Sequence, residues 1–327
     1  MIEVYAYNAG KGDCIRVRFG SEQDYHNIFI DTGVTRFGPT FRSILADIQA
    51  AGETLDLLIL THVDDDHIGG ILSLLRNGWV CQFQEVRMNR SGEACTSNTP
   101  LSNIPLSTRQ NNEVYSYLQK QNILVKSMIA EDEINAHGAV IKVLWPKTIL
   151  IESERNDTPL AYHRDYGYSL SELAGLPIKA SDHSINNRNS VICTVEYEQK
   201  KLLFTGDAWG EDIVAAVTGD DLQHFDLMKL PHHGAVGNLS ERFPESIHCS
   251  DFLICTDGIM HPDKQTIAKL ISWYGKINIF SPSDWWSKDF FVEEDLRDSS
   301  IHDSNSPDSS SRLNINLMHR EGLVIRW

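Results

Sequence analysis

The densest chemistry in the chain is Thr61-His62-Val63-Asp64-Asp65-Asp66-His67-Ile68-Gly69-Gly70. Two imidazoles and three carboxylates fall within six residues, 62 to 67. A hydrophobic core cannot take such a group, because like charges repel and each buried charge loses its water. A cation would relieve both effects, and mixed imidazole and carboxylate donors suit Zn²⁺ or Mn²⁺. The alternative is a solvated acidic turn whose Asp side chains cap the next helix.

Three further segments weaken that alternative. Thr205-Gly206-Asp207 sets a carboxylate after the apolar run KLLF. Pro231-His232-His233-Gly234 sets two adjacent imidazoles after DLMKL. His261-Pro262 follows FLICTDGIM, where His261 could bind a phosphate, protonate a leaving group or simply open a helix. Each group ends an apolar run, so all can meet on one edge of a sheet sandwich. Consecutive side chains of an extended segment point opposite ways. His232 and His233 are therefore expected to divide their work, one reaching a metal and the other facing substrate or a carboxylate.

The elements that must hold these groups follow from periodicity. IEVYAY, CIRVRF and NIFIDTG are strand-like, and FRSILADIQAAG is an amphipathic helix. LDLLIL is a continuous apolar run of the kind found in a doubly covered strand, and HIGGILSLLRNG is a helix. NEVYSYLQKQ and EDIVAAVTG are helical, and AVIKVLWP is a strand. SVICTVEYEQKKLLFTGD is a strand, a turn and a strand. FDLMKL, DFLICTDG and KINIFSPS are strands, and HPDKQTIAKLISWYG is a helix. Residues 88 to 112 are polar and predict a loop; 147 to 188 predict an irregular segment; 294 to 312 predict disorder or a long loop. LNINLMHREGLVIRW predicts a hairpin returning to a core, and Trp285 and Trp286 predict a buried anchor for the tail.

The 327 residues carry 45 acids against 29 bases, a formal charge of −16. Residues 284 to 311 hold eight of those acids and two bases. This balance argues against a broad basic surface for nucleic acid. A local basic groove from Lys11, Arg87, Arg90, Arg164 and Arg188 is the remaining possibility. No apolar run approaches the ~20 residues of a membrane span, and the N-terminus lacks the charged and apolar regions of a signal peptide. A cytoplasmic protein with no membrane partner is expected. The six cysteines, Cys14, Cys81, Cys95, Cys193, Cys249 and Cys255, form no CxxC pair and are expected as free thiols.

With these motifs in this order, the chain resembles the metallo-β-lactamase-fold hydrolases. Their first motif is HxHxDH, and His62, Asp64, Asp66 and His67 stand in its four ligand places. The Asp at 64 departs from the majority pattern and resembles the branch typified by the soluble domain of the competence protein ComEC, which often has HPDADHIGG there. Gly10-Lys11-Gly12-Asp13 resembles that branch's GQGD turn, and Ile30-Asp31-Thr32-Gly33 its IDTG. Asn189-Ser190-Val191 resembles its NSLV, Gly206-Asp207 its TGD, His232-His233-Gly234 its HHGS and His261-Pro262 its GHP. The matches run from residue 4 to about residue 280.

The resemblance implies an α/β fold, a four-layer αββα sandwich, over residues 1–282, with inserts at about 89–112 and 147–186. Residues 283–327 would be an acidic Ser- and Asp-rich tail ending in the hairpin. It also implies one or two ions of Zn²⁺ or Mn²⁺. His62 and Asp64 would hold one, and Asp66 and His67 the other. Asp207 would bridge them, and His233 or His232 would complete the second. Most members supply a further His; Asn189 stands in its place, with His183 nearby. Asp31 and Asp13 would orient ligands from behind. Asp66, Asp207 and His261 would take catalytic roles, and Lys11, Tyr162, Arg164 and Tyr166 would contact substrate. The Tyr162 to Tyr168 cluster would act as a lid stacking bases, or as an insert packed on the domain.

The implied activity is metal-dependent hydrolysis, with a phosphodiester, as nucleic acid or nucleotide, the first candidate substrate. A small-molecule hydrolase for an ester, lactone or nucleotide is the second. A regulatory or partner-binding protein with a structural metal is the third, a protein partner meeting it at the tail or the inserts.

Overall fold

A computed structural model describes residues 1–90, 106–150, 164–178, 182, 184–218, 223–287, 289–298, 301–302, 312–317 and 325–327. The chain begins with β1 (Ile2–Ala6), β2 (Ile15–Ser21), β3 (Asp24–Ile30), β4 (Leu57–Leu60), β5 (Glu85–Met88) and β6 (Leu124–Lys126). Helices α1 (Gly38–Ala50), α2 (Asp65–Arg76) and α3 (Leu106–Lys120) lie between them in sequence. The second half carries β7 (Glu133–Ala136), β8 (Ala139–Trp145), β9 (Ile192–Tyr197), β10 (Lys200–Phe204), β11 (Gln223–His224), β12 (Leu227–Lys229), β13 (Ile247–His248), β14 (Asp251–Leu253) and β15 (Ile277–Ser281). Then come β16 (Ile301–His302), β17 (Leu313–Leu317) and β18 (Ile325–Arg326). Its helices are α4 (Leu170–Ala174), α5 (Ile185–Arg188), α6 (Gly210–Val217), α7 (Phe243–Ser246), α8 (Lys264–Tyr274) and α9 (Glu293–Arg297).

Two large sheets result, ordered β18-β1-β2-β3-β4-β5-β6 and β16-β17-β15-β14-β12-β10-β9-β8-β7. Three hydrophobic layers hold them. Ile2, Val17, Ile28, Val195, Leu202 and Phe204 fill the space between the sheets. Phe41, Leu45, Ile68, Leu72 and Val114 from α1 to α3 cover the outer face of the first sheet. Ile213, Phe243, Ile267 and Leu270 from α6 to α8 cover the outer face of the second. The architecture is therefore an αββα sandwich. It explains the unbroken apolar run of β4: Leu57 and Ile59 enter the inter-sheet core, while Leu58 and Leu60 enter the helical layer.

The parallel strands set the working edge. β3, β4 and β5 run parallel, as do β10, β12, β14 and β15, so the segments after their C-terminal ends gather together. Each chemical motif follows one of these strands. The packing there is tight. A Cβ on Gly12 would lie 2.0 Å from the Asp66 carbonyl oxygen, and one on Gly70 2.0 Å from that of Thr32. Glycine at these two positions lets the first turn of α2 sit against the two preceding loops.

Three expectations change. Residues 106 to 112, expected as loop, form the first turns of α3, whose buried Gln110, Asn111 and Val114 face the sandwich. Within 147–188, expected as irregular, α4 forms under a Ser169–Glu172 capping box. The terminal hairpin does not form. β17 pairs in parallel with β15, and β18 pairs antiparallel with β1 in the other sheet. Each segment had strand character, but open edges of different sheets, rather than sequence adjacency, select its partner. Of the stretch expected as disordered, residues 294–297 belong to α9, and 299–300 and 303–311 lie outside the described residues.

The tail is thus integral to both sheets. Trp285 is buried and donates Nε1 to Ser281 Oγ at 3.0 Å. Asp295 of α9 accepts from Leu170 N at 2.7 Å and pairs with the buried Lys264 at 2.5 Å. Ending the chain at residue 282 should therefore give an aggregated protein, or one melting at least ~10 °C lower, in a thermal scan. An unchanged melting temperature would show that the tail is dispensable.

Candidate metal centre

Asp207, at the turn after β10, is buried, and its Oδ2 atom is the focus of the working edge. His67 Nε2 lies 3.4 Å from it, His233 Nε2 3.6 Å, and His62 Nε2 and His232 Nε2 3.8 Å each. Asp66 Oδ2 lies 3.8 Å from His233 Nε2. Four overlapping donor triads emerge: His62–His67–Asp207, Asp66–His67–His233, Asp13–Asp207–His233 and Asp13–Asp31–His67.

The rings are fixed from behind. His67 donates Nδ1–H to Asp31 Oδ2 at 2.7 Å. The same carboxylate accepts from Thr61 N and Thr61 Oγ1, both at 2.7 Å, which holds it rigidly. His233 donates Nδ1–H to the Cys255 carbonyl at 2.8 Å. His232 donates Nδ1–H to Asn238 Oδ1 at 3.0 Å, and the Asn238 amide in turn donates to the carbonyls of Asp207 and Ala208. Each of these rings therefore turns its Nε2 lone pair toward Asp207.

Nε2 of His62, His67 and His233 and Oδ1 of Asp207 are buried without a hydrogen-bond partner. Buried polar groups are normally satisfied, so several orphans around one point mark a place for a charged guest. The electrostatics agree. Burial opposes charge on the His67 ring, yet Asp207 and Asp31 hold its pKa well above the usual imidazole value. His233 is raised to about 9 by Asp207 and Asp13 against the same burial penalty. His62 is lowered by burial and by the neighbouring His67. Burial would raise Asp207, but His67 and His233 hold it well below the usual carboxylate range. Imidazolium protons thus supply here the positive charge that the carboxylates demand, and a divalent cation among the same atoms would replace them.

Several expected residues sit elsewhere. Asp64 occupies the N-cap of α2, and its Oδ1 accepts from Asn186 Nδ2 at 3.0 Å, away from the donor triads. Asn189 spends its amide on the Leu150 backbone, accepting and donating at 2.8 Å, so it offers no donor to a metal. His183 and Tyr162 lie outside the described residues. The opposite-facing geometry expected of His232 and His233 is not seen, because the segment is not extended. His232 and His233 both have left-handed backbone, with φ of 45° and 56°, and this turn brings both Nε2 atoms to one oxygen. Tyr166 is buried, with its hydroxyl donating to the Pro262 carbonyl at 3.0 Å, and Arg164 donates to the carbonyls of Gly258 and Ile259. These two side chains brace the loop bearing His261 rather than face the centre. His261 itself lies at the mouth, its ring 5.2 Å from that of His232. Lys11 is more than half exposed and pairs with Asp66 Oδ2 at 3.0 Å.

One central residue was missed. Lys229 is fully buried beneath the centre, 2.5 Å from Asp13 Oδ2 and 3.6 Å from Asp207 Oδ1, and donates to the Gly206 carbonyl at 2.8 Å. Burial would raise Asp13, but Lys229 and His233 hold it at about 2. A signal existed: a lysine ending an apolar strand, two residues before the Pro-His-His turn, needs a buried partner.

Residues 10–102 match the family model described as the metallo-beta-lactamase superfamily. Solved structures similar to the chain include the metallo-beta-lactamase fold protein YhfI from Bacillus subtilis, with 12% identity and a TM-score of 0.44 over 100% of both chains. Igni18, a metallo hydrolase from the archaeon Ignicoccus hospitalis, gives the same 12%, 0.44 and full coverage of both chains. The short form of human tRNase Z gives 12% identity and a TM-score of 0.41 over 99% of this chain and 98% of that one. No curated protein matches the chain in sequence. The family match covers residues 10–102, and the two large sheets with helices outside them are consistent with a metallo-β-lactamase sandwich fold.

Because a cation must displace protons from His67 and His233, metal binding should release protons and tighten as pH rises toward about 9, the His233 value. Calorimetric titration with Zn²⁺ or Mn²⁺ in buffers of different ionisation enthalpy measures this directly. Binding without proton release at pH 7 would contradict the proposed donor atoms.

Proposed function

We propose that the chain is a divalent-metal-dependent phosphodiesterase, with Zn²⁺ or Mn²⁺ held among Asp66, His67, His233 and Asp207. His62, in reach of His67 and of the same Asp207 oxygen, and His232, 3.8 Å from that oxygen, would be the donors to a second ion. The observation that carries this reading is the convergence of four imidazole Nε2 atoms on Asp207 Oδ2. Such an ion supplies a water of lowered pKa and neutralises developing negative charge.

The protein groups around it have distinct work. Asp207 shares one oxygen among the donors while Lys229 holds the other side. Asp66, 3.8 Å from His233 Nε2, would accept a proton from the attacking water. Lys11, beside Asp66, offers a cation to a non-bridging phosphate oxygen. His261, at the mouth and 3.6 Å from Asp263, is placed to give a proton to the leaving group.

Three of the basic residues considered for a groove are tied elsewhere. Arg87 pairs with Glu85, Arg188 pairs with Asp212 and stacks over Trp209, and Arg90 lies over Tyr115. This favours a small or single-stranded phosphodiester over a duplex, which needs a row of free cations.

Protein loaded with Mn²⁺ or Zn²⁺ should hydrolyse bis(p-nitrophenyl) phosphate and leave p-nitrophenyl acetate and β-lactams intact. Activity on the acetate alone would replace the phosphodiesterase reading with an esterase. Asp207→Asn should abolish turnover with little change in melting temperature; turnover like that of the unaltered protein would place the chemistry elsewhere. His261→Ala should lower kcat by ~10²-fold with KM nearly unchanged. An unaltered kcat would remove His261 from proton transfer.

A further inference from the structure

A second cluster of metal donors lies at the opposite end of the sandwich. His26 on β3 and Asp56 just before β4 belong to the first sheet, and each sits five residues before its strand reaches Asp31 or Thr61 at the working edge. At the strand rise that is a separation of ~16 Å. His137 comes from the other sheet, at the tip of the two-residue turn joining β7 and β8. Its φ is 47° and that of Gly138 is 92°, the left-handed pair of a tight hairpin turn.

Asp56 Oδ1 lies 3.1 Å from His26 Nδ1 and 3.3 Å from His137 Nε2. Two ligands at ~2.0–2.1 Å from a tetrahedral ion sit ~3.3–3.4 Å apart, so these separations suit one ion. The other oxygen, Oδ2, is already used, accepting from Asn27 N and from Thr54 Oγ1 at 2.8 Å each. Oδ1 is therefore the oxygen left for the imidazoles. Thr54 Oγ1 also lies 3.0 Å from His26 Nδ1. On the far side of the His26 ring, Nε2 faces Asp24 Oδ1 at 3.4 Å. A carboxylate behind a ligating imidazole is the arrangement that fixes the tautomer and raises ligand basicity. The two rings stack face to face, with centroids 3.7 Å apart and planes 12° from parallel.

We propose that His26, Asp56 and His137 form a second, structural transition-metal site that staples the two sheets together at the end away from the hydrolytic centre. Asp56 and His26 are buried and supply the fixed donors. His137, about half exposed on its turn, swings out of the stack to close on the ion. The open fourth position is left to water, and the imidazole-rich donor set selects Zn²⁺ over Mg²⁺ or Ca²⁺.

The test uses the full chain, stripped with chelator and reloaded with Zn²⁺, and compares it with His137→Ala and Asp56→Asn. Zinc per chain is measured after gel filtration, and melting temperature with and without the metal. His137→Ala should hold one Zn²⁺ fewer per chain and lose part of the zinc-induced rise in melting temperature, while melting normally without metal. Asp56→Asn should lose the same ion. Equal zinc content and an equal zinc-induced shift in His137→Ala would overturn the proposal and leave a hydrogen-bonded His–Asp–His cluster. The exposed position of His137 keeps this variant foldable, so either result is readable. The outcome does not depend on the hydrolytic reading, because His137 touches none of that centre's residues.

Discussion

Buried negative charge at one end of the sandwich governs the rest of the structure. Asp13, Asp31 and Asp207 are buried and Asp66 is nearly so, within reach of the same few imidazoles. Carboxylates so placed repel one another and lose their hydration, a penalty of several kcal/mol per ion before compensation. Each is answered by a specific group: Lys229 for Asp13, Thr61 and His67 for Asp31, Lys11 and His233 for Asp66, and the four imidazoles for Asp207. Nε2 of His62, His67 and His233 is left without a hydrogen-bond partner, and that shortfall is the basis of the proposed cation site.

The fold exists in a form that can bear this. Parallel strands end together, so the polar residues that follow them meet without long loops. The helical and inter-sheet cores bury the strands fully, which gives a rigid base for strained turns. Asp31, His232 and His233 all adopt left-handed backbone, and all three sit at the centre. Such conformations cost about 1 kcal/mol or more each in non-glycine residues and persist only where the surroundings over-determine them. Here the hydrogen bonds of Thr61, Cys255 and Asn238 supply that constraint.

Much of this was legible in the sequence, and the limits have physical causes. The strand-end positions of His62, Asp66, His67, Asp207 and His233 followed from apolar runs closed by chemistry-bearing residues. Side-chain direction at turns did not. Asp64 carries a donor at motif spacing, yet as the N-cap of α2 it faces Asn186, and nothing local fixes which way a capping residue turns. The His232–His233 pair turns both rings inward because its backbone is left-handed rather than extended, which the residue types alone do not reveal. Asn189 stands near the right place but is held by the Leu150 backbone, a contact with a segment distant in sequence. Lys229 was visible as a charge in an apolar strand but had no neighbour in sequence to explain it. The end of the chain shows the same limit: strand character is local, but whether β17 and β18 pair with each other or with β15 and β1 depends on which sheet edges are open.

The divalent metal proposed among His67, His233, Asp66 and Asp207 can be sought by anomalous diffraction from crystals grown with Zn²⁺ or Mn²⁺, collected on both sides of the metal edge. A peak is expected between Nε2 of His67 and His233 and Oδ2 of Asp207, at ~2.0–2.2 Å from each. Well-ordered density for these side chains in saturating metal with no anomalous peak between them would contradict it.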